Sequence, residues 1–531
     1  MREKADEKGV DLLLIDTGDR IEGNGLYDAS EPKGEYTLEI FKEQEIDVIC
    51  SGNHELYKKN SSENEYTKTV PYFRNTYLAS NLDILDPESG ERVPLAPRYR
   101  KFTTKNQATR ILAFGFLYDF TGNYNNTIVQ PVEQTIEETW FQEAIRDREV
   151  DLFLVTGHVA VRSKEYTAIF KAIREVQWDT PIQFFGGHTH IRDYTKYDSK
   201  SYALESGRYL ETLGFMSING IGTGQKRDQL TISSPTFERR YIDNNLFSFH
   251  HHTGLNSTTF PTEHGKNVTR MIAKARKDLM LDTVFGCAPS DLWTNRVEYP
   301  SEQSIFTWLE TEVLPNITKD TAATGKAKLV MINTGAMRFD IFKGAFTRDT
   351  TFIISPFTSG FRYIRDVPFD SASKLLSILN NQGQILEKAA PELQTWKLAP
   401  PEQMVLLEDI VADEHQYNHR QGQVLLETRK LTPGYTTKDD VGEEGDDTLH
   451  SPVSFYRVPN CIESMVDFPA SGMDPETVDL VFLEFIQPWV LIALKFLGLE
   501  YSLSDTGAFM EGHDFTTMIA GWVERNWKGN C

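Results

Sequence analysis

The sequence predicts two layered α/β domains, and three observations carry the prediction. Short apolar runs that end in glycine plus Asp, Asn or His recur through the first half, separated by helix-like segments. That is the pattern of strands alternating with helices. The chain has 531 residues, more than one hydrophobic core ordinarily serves. Hydrophobic residues make up 40% of it and aromatics 11%, enough to fill large cores and to exclude a disordered chain.

In chain order, Met1–Gly9 reads as a charged helical stretch without the apolar segment of a secretory signal. Leu12–Asp16 is the first strand and leads to Gly18-Asp19. Tyr36–Gln44 is helical, and the strand Asp47–Cys50 then leads into Gly52-Asn53-His54-Glu55. After a helical segment at Glu133–Arg148, the strand Asp151–Val155 leads to Gly157-His158. The strand Ile182–Phe185 leads to Gly186-Gly187-His188-Thr189-His190. In such layers ligands gather at the carboxyl ends of the strands, where these polar residues fall. From Ser201 to Phe249 the texture is strand-rich, including Gln229–Ser233 and Thr236–Asp243, and His250–His252 reads as a solvated run at a strand end. Thr253–Gly265 is polar and reads as a linker, feeding a basic amphipathic helix over Val268–Met280. A second α/β unit follows from Ser290, with a strand at Lys328–Ile332 and an acidic loop at Lys438–Asp447. The most apolar window, Val478–Leu497, is interrupted by Asp479, Glu484, Pro488 and Lys495, so it reads as a buried helix pair, and no transmembrane segment is expected. The expected domains are residues 1–252, a linker and hinge helix over 253–289, and residues 290–531.

The charge balance, 55 Lys+Arg against 77 Asp+Glu for a net −22, argues against a nucleic-acid polymer as partner, because its phosphate backbone would be repelled. A small anion is still compatible where metals or arginines reverse the sign locally. Cys50, Cys287, Cys461 and Cys531 form no C-x-x-C pair, which excludes a zinc ribbon or a dense disulfide framework. Sequons at Asn60, Asn125, Asn256, Asn267 and Asn316 tilt the expected compartment toward a secretory, vacuolar or extracellular one.

Hydrolysis of a phosphoester at neutral pH needs a strong nucleophile beside a negatively charged phosphorus. Two divalent metals supply it by acidifying a bound water and clamping the phosphoryl oxygens. Imidazoles, carboxylates and an occasional amide carbonyl suit Zn, Mn or Fe in such sites. This chain offers that set at successive strand ends: Asp19, Asn53, His158, His188 and His190. Each piece alone is weak; a Gly-Asp after a strand is usually a turn, and a Gly-His usually a core histidine. All four pieces in order, each behind a strand, make the signal.

The series GD, GNHE, GH, GHTH resembles the calcineurin-like metallophosphoesterase superfamily, and the second half resembles its 5′-nucleotidase family, fungal members included. The resemblance spans essentially the whole chain. It implies a four-layer-type metallophosphoesterase β-sandwich flanked by helices, plus a second α/β 5′-nucleotidase C-terminal domain. It implies that Asp19 bridges two metals, that Asn53, His158 and His188 hold one of them, and that His190 serves the other. His54 would contact the phosphate and carry the catalytic role. The substrate would be a small phosphomonoester, above all a nucleoside 5′-monophosphate, attacked by a metal-bound water. Two departures matter. The family's D-x-H motif does not occur before Asp19, so the expectation is that the chain starts downstream of the strand that carries it. The family's Asp after GNHE is replaced by Leu56-Tyr57.

In the second half, Asn333-Thr-Gly-Ala-Met-Arg338 is similar to the family's N-G-G-G-I-R, whose Asn and Arg bind the nucleotide, and Ile354-Ser-Pro-Phe357 to its L-P-F, whose Phe stacks on the base. Asn333, Arg338 and Phe357 are therefore the expected substrate contacts. The second stacking aromatic has no counterpart, since no Gly-Gly-Asp-Gly occurs in Tyr501–Asp514. Two alternatives stay open at this point: a cyclic-nucleotide or other phosphodiesterase on the same scaffold, and a non-catalytic descendant.

Overall fold

The structure is a computed structural model that describes residues 1–222, 235–319, 326–390, 394–403, 432–433, 450–451, 456–469, 472–529 and 531. The expected strand Gln229–Ser233 and acidic loop Lys438–Asp447 lie outside the described residues. The chain divides into two compact units. One is built from residues 1–21 and 38–270, the other from 22–37 and most of the chain after 270.

In the first unit the strands run in the order Arg192–Asp198, Ser201–Ser206, Ile182–Gly186, Leu152–His158, Arg110–Leu117, Tyr99–Thr103. The inner four are parallel and the two edges antiparallel. Val155 and Phe184, the apolar residues of strands buried on both sides, are fully enclosed, as parallel strands covered on both faces require. Ile15–Asp16 pairs in parallel with Val48–Ile49 as a separate short ladder. Both ladders therefore deliver their carboxyl ends, and the residues that follow, to loops. Thr212–Asn219 and Thr236–Asp243 form an antiparallel ribbon.

The second unit is built on a five-stranded sheet ordered Cys461–Val466, Lys328–Asn333, Thr477–Leu483, Gly360–Pro368, Gly507–Asp514. Alternate residues of its central strands fill two cores. Val330, Ile332, Val481 and Leu483 pack on one face, and Leu329, Met331, Leu480 and Phe482 on the other. Burying each such side chain contributes about 1.5–3 kcal/mol. This corrects the reading of Val478–Leu497 as a helix pair: the run is the strand Thr477–Leu483 followed by the helix Gln487–Phe496. Its first half is apolar at every position from Leu480 because both faces of that strand are covered, which erases the alternation that marks a half-exposed strand. His250–His252 likewise end the helix Leu246–Thr253 and not a strand.

Two further differences concern boundaries. Residues 22–37 belong to the second unit and not to the first. The helix Gly25–Asp28 is held there because the Gly25 N–H donates to Asp349 Oδ1 (2.9 Å), and a Cβ at Gly25 would meet Leu281 at 2.6 Å. The division near residue 270 falls inside the helix Glu263–Asp278, which the sequence reading began at Val268.

Glu463, on the edge strand Cys461–Val466, is an exception in this apolar surrounding. Its Oε2 is buried without a hydrogen-bond partner among the described residues, and burial, with Glu310 nearby, pushes its carboxyl from 4.5 up to about 7. The native state then keeps a proton that the unfolded chain has released, so stability falls as pH rises from about 4.5 to about 7. Glu463→Gln is expected to remove this loss, up to roughly 3 kcal/mol at pH 8. Urea denaturation of both proteins across that range checks it; parallel curves would refute it.

Candidate active site

Two loops of the first unit are pressed together by their glycines. Gly18 has φ +90°, and a Cβ there would lie 2.2 Å from the backbone nitrogen of Gly52; a Cβ on Gly52 would lie 2.1 Å from Asp19 Oδ1. Only glycines allow the chain after Ile15–Asp16 to touch the chain after Val48–Ile49. Glu55 locks them. Its carboxylate accepts from the backbone N–H of Gly52 (2.9 Å), Asp19 (3.1 Å) and Arg20 (2.7 Å). Burial pushes the Glu55 carboxyl up against the pull of Arg20. Burial would lower the Arg20 guanidinium, but Glu65 and Glu55 hold it well above its ordinary value. Arg20 also reaches Asp16 Oδ1 and the Cys50 carbonyl, each at 2.8 Å.

Asp19 emerges from this junction at φ 60°, a conformation costly for a residue with a Cβ and typical of functional positions. Its Oδ1 accepts from the His54 N–H (2.9 Å) and its Oδ2 lies 2.9 Å from His158 Nε2. His158, the last residue of Leu152–His158, turns Nδ1 to the Thr17 carbonyl at 3.0 Å. A carbonyl can only accept, so Nδ1 carries a proton and Nε2 is the nitrogen directed at the site. His188 Nδ1 is 3.2 Å from His158 Nε2, and the His188 ring stacks on Tyr118 at 4.3 Å. Ligand atoms of Asp19, His158 and His188 all lie within 4.8 Å of one another. Burial, then the neighbouring His158, lowers the His188 imidazole well below its ordinary value. Burial would raise the Asp19 carboxyl, but His158 and His54 beside it hold it well down.

Of the residues named from the sequence, Asp19, His158 and His188 are thus brought together. Asn53 is 1% exposed; its Nδ2 donates to the Tyr57 hydroxyl (3.0 Å), while its Oδ1 is buried with no hydrogen-bond partner among the described residues. A buried, unsatisfied carbonyl oxygen is costly unless something electropositive binds it. His54 stands beside the group, with Nε2 3.8 Å from Asp19 Oδ2 and its ring edge-on to Tyr57 at 5.1 Å. His190 is outside the three-ligand group; it is half-buried, has φ 62°, and faces Tyr209 at 5.4 Å.

The donor set fits a divalent metal: one carboxylate, two imidazoles and an orphaned amide oxygen, of the kinds preferred by Zn, Mn or Fe. Sequence reasoning missed what holds these donors. Glu55 was visible as part of GNHE without a role. Glu205, on Ser201–Ser206, accepts from the N–H (3.0 Å) and hydroxyl of Thr189, fixing the turn that carries His188 and His190. No local signal marks it. Gly52→Ala tests the junction: the added methyl forces Asp19 away, so metal affinity should fall about 10–100-fold and stability by about 1–3 kcal/mol. Metal titration and urea denaturation measure both, and no change in either would refute the account.

In the second unit, Arg338 follows the turn Thr334–Ala336, and its N–H donates to the Ile354 carbonyl (2.8 Å). Its guanidinium lies 4.9 Å over the Phe357 ring. The Thr516 hydroxyl donates to the carbonyls of Ser355 (2.6 Å) and Phe357 (2.8 Å), pinning that loop. Asn333 is buried, with Nδ2 on the Leu398 carbonyl (3.2 Å) and Oδ1 without a hydrogen-bond partner among the described residues. The three expected substrate residues thus lie on two neighbouring loops, with Arg338 and Phe357 in contact.

Residues 1–192 match the family described as calcineurin-like phosphoesterase, and residues 291–491 match that described as NAD nucleotidase, C-terminal domain. An uncharacterized protein of Schizosaccharomyces pombe is 38% identical over 557 residues, covering 100% of this chain and 86% of its own. A protein of Arthroderma benhamiae named as a secreted protein is 35% identical over 554 residues, covering 96% of this chain and 82% of its own. The crystal structure of a 5′-nucleotidase from Candida albicans matches with a TM-score of 0.85 and 36% identity, covering 99% of this chain and 91% of that one. The 5′-nucleotidase precursor of Thermus thermophilus, at 12% identity and a TM-score of 0.58, shares the fold.

Proposed function

Because the chain belongs to the 5′-nucleotidase family of calcineurin-like metallophosphoesterases and is a phosphoester hydrolase, we propose that it hydrolyses nucleoside 5′-monophosphates with two divalent metals of the Zn, Mn or Fe class. The observation that carries this reading is the convergence of Asp19, His158 and His188, with the buried Asn53 next in the chain to His54, whose N–H donates to Asp19. These four residues would hold one metal. Asp19 would be shared with the second, which His190 serves. Bound there, the metals supply Lewis-acid activation of water and neutralise charge on the phosphoryl group.

The remaining chemistry falls to the chain's own groups. Thr17 fixes the His158 tautomer through its carbonyl, so Nε2 stays available for coordination. Glu55 and Glu205 hold the two ligand-bearing turns in place. His54, tethered by its backbone N–H to Asp19, presents its imidazole next to the metal donors. There it contacts the phosphate and gives a proton to the departing ribose oxygen.

Substrate choice is assigned to the domain over residues 290–531, with 253–289 as linker and hinge helix. Arg338 offers a planar, permanently charged donor set to the ribose, Asn333 an amide, and Phe357 a face for the base. The contact between Arg338 and Phe357 supports their acting as one subsite. Arg338→Ala and Phe357→Ala are each expected to lower kcat/KM for nucleotides by on the order of a hundredfold. Hydrolysis of a small aryl phosphate, which carries neither ribose nor base, should barely change. If both activities fall together, or neither falls, the assignment of specificity to this domain is wrong.

We also place the protein in a secretory, vacuolar or extracellular compartment, as a glycoprotein. All five sequon asparagines are exposed, as attachment of a bulky glycan requires. The relative named as secreted agrees. No helix among the described residues is long and apolar enough to cross a membrane.

A further inference from the structure

The four cysteines separate into two kinds. Cys50 and Cys461 are fully buried, one in each unit, and burial pushes both thiols far up. Such thiols are inert toward exchange because they yield almost no thiolate. Cys287 is half-buried and Cys531 is exposed.

These last two are neighbours in space. Cys287 lies on the strand Val284–Ala288, and its N–H donates to the Trp527 carbonyl at 2.9 Å. Trp527 is in turn fixed by packing on Trp308 (5.2 Å) and Phe346 (5.8 Å). The chain leaving the helix Phe515–Asn526 is therefore laid against this strand. A Cβ on Gly286 would meet the Trp527 carbonyl oxygen at 2.8 Å, so the approach is as close as the backbone permits. Cys531 Sγ donates to the Gly286 carbonyl at 3.7 Å, one residue from Cys287. The nearby Cys287 thiol pushes the Cys531 thiol up.

We propose that Cys287 and Cys531 are the two halves of a structural disulfide that closes when the protein meets a disulfide oxidant, as in a secretory lumen. Cys531, the more exposed, exchanges first: its thiolate attacks the oxidant, forming a mixed disulfide and releasing one thiol. Cys287 then attacks the Cys531 sulfur and releases the second. One oxidant disulfide is reduced to two thiols, and the protein loses two protons and two electrons from its thiols. Reaching the S–S length of about 2.05 Å asks the exposed Cys531 side chain to turn from the Gly286 carbonyl toward the next residue on the strand, Cys287. The bond would tie the first strand of the second unit to the chain beyond the helix Phe515–Asn526, closing a long loop and so restricting the unfolded chain.

The test uses the full chain, reduced and then equilibrated with oxidised and reduced glutathione. After acid quench, denaturation and alkylation, the intact mass reports how many thiols remain. Two alkylated cysteines, Cys50 and Cys461, are expected, with one peptide pair joined through Cys287 and Cys531 after digestion. In Cys287→Ser, Cys531 should instead carry a persistent glutathione adduct, because nothing is left to resolve it. Four alkylated cysteines, a glutathione adduct that persists on the unsubstituted protein, or a Cys531–Cys531 dimer would each overturn the proposal. This outcome is independent of the hydrolytic reading, since it is read by mass and not by turnover.

Discussion

Replacing Asp19 by Asn is expected to empty the metal site and to lower kcat/KM for phosphoester hydrolysis by on the order of a thousandfold or more. The substitution keeps the shape and an oxygen for the His54 N–H, but it removes the charge. That charge is the one carboxylate of the group: His158, His188 and the Asn53 oxygen are all neutral donors. Neutral donors alone offset less of the cost of taking a dication out of water than a set that includes a carboxylate. Metal analysis of the purified protein and initial rates on a small phosphomonoester should therefore fall together. Full metal content with full activity would remove Asp19 from the site. The fold should tolerate the change, because the Glu55 bonds that join the two loops involve the backbone N–H of residue 19 and not its side chain.

His54→Ala is expected to behave differently. Turnover should drop about 10²–10⁴-fold, the usual contribution of a positioned acid, while metal content stays whole. The geometry motivates the separation: His54 Nε2 is 3.8 Å from Asp19 Oδ2, whereas His158 Nε2 is at 2.9 Å. The effect should be smaller on a substrate whose leaving group departs without a proton, such as an activated aryl phosphate. Equal loss on both substrates, or loss of metal, would make His54 a ligand and not an acid. The two variants together thus distinguish holding the metal from using it.

The expected metal donors stood out in the sequence because each ends or follows a strand that pairs in parallel. A glycine-plus-polar pair behind an apolar run is a local signal, and four in order leave few other readings. What held them was not legible. Glu205 reaches Thr189 across a parallel strand pair, and nothing near Glu205 in sequence distinguishes it from a surface acid. Tyr118 stacks on His188 from the strand Arg110–Leu117's far end, again a contact set by sheet order. The window Val478–Leu497 was misread for the complementary reason: burial on both faces removed the periodicity that would have told strand from helix. That residues 22–37 group with the second unit was not legible either, since the Gly25 N–H meets a carboxylate, Asp349, 324 positions away.

That last separation has a cost in time. A ribosome adds about 5–20 residues per second, so the helix Gly25–Asp28 must wait roughly 15–65 s before Asp349 has even been polymerised. Throughout that interval the neighbouring stretch that carries Asp19 and Arg20 can begin to dock with the chain around Cys50 and Glu55, while 22–37 has nowhere to settle. During synthesis this short excursion is therefore an unsatisfied loop with a buried tyrosine, Tyr27, still exposed to solvent. A chaperone or a protease would find this stretch of the nascent chain accessible throughout that interval.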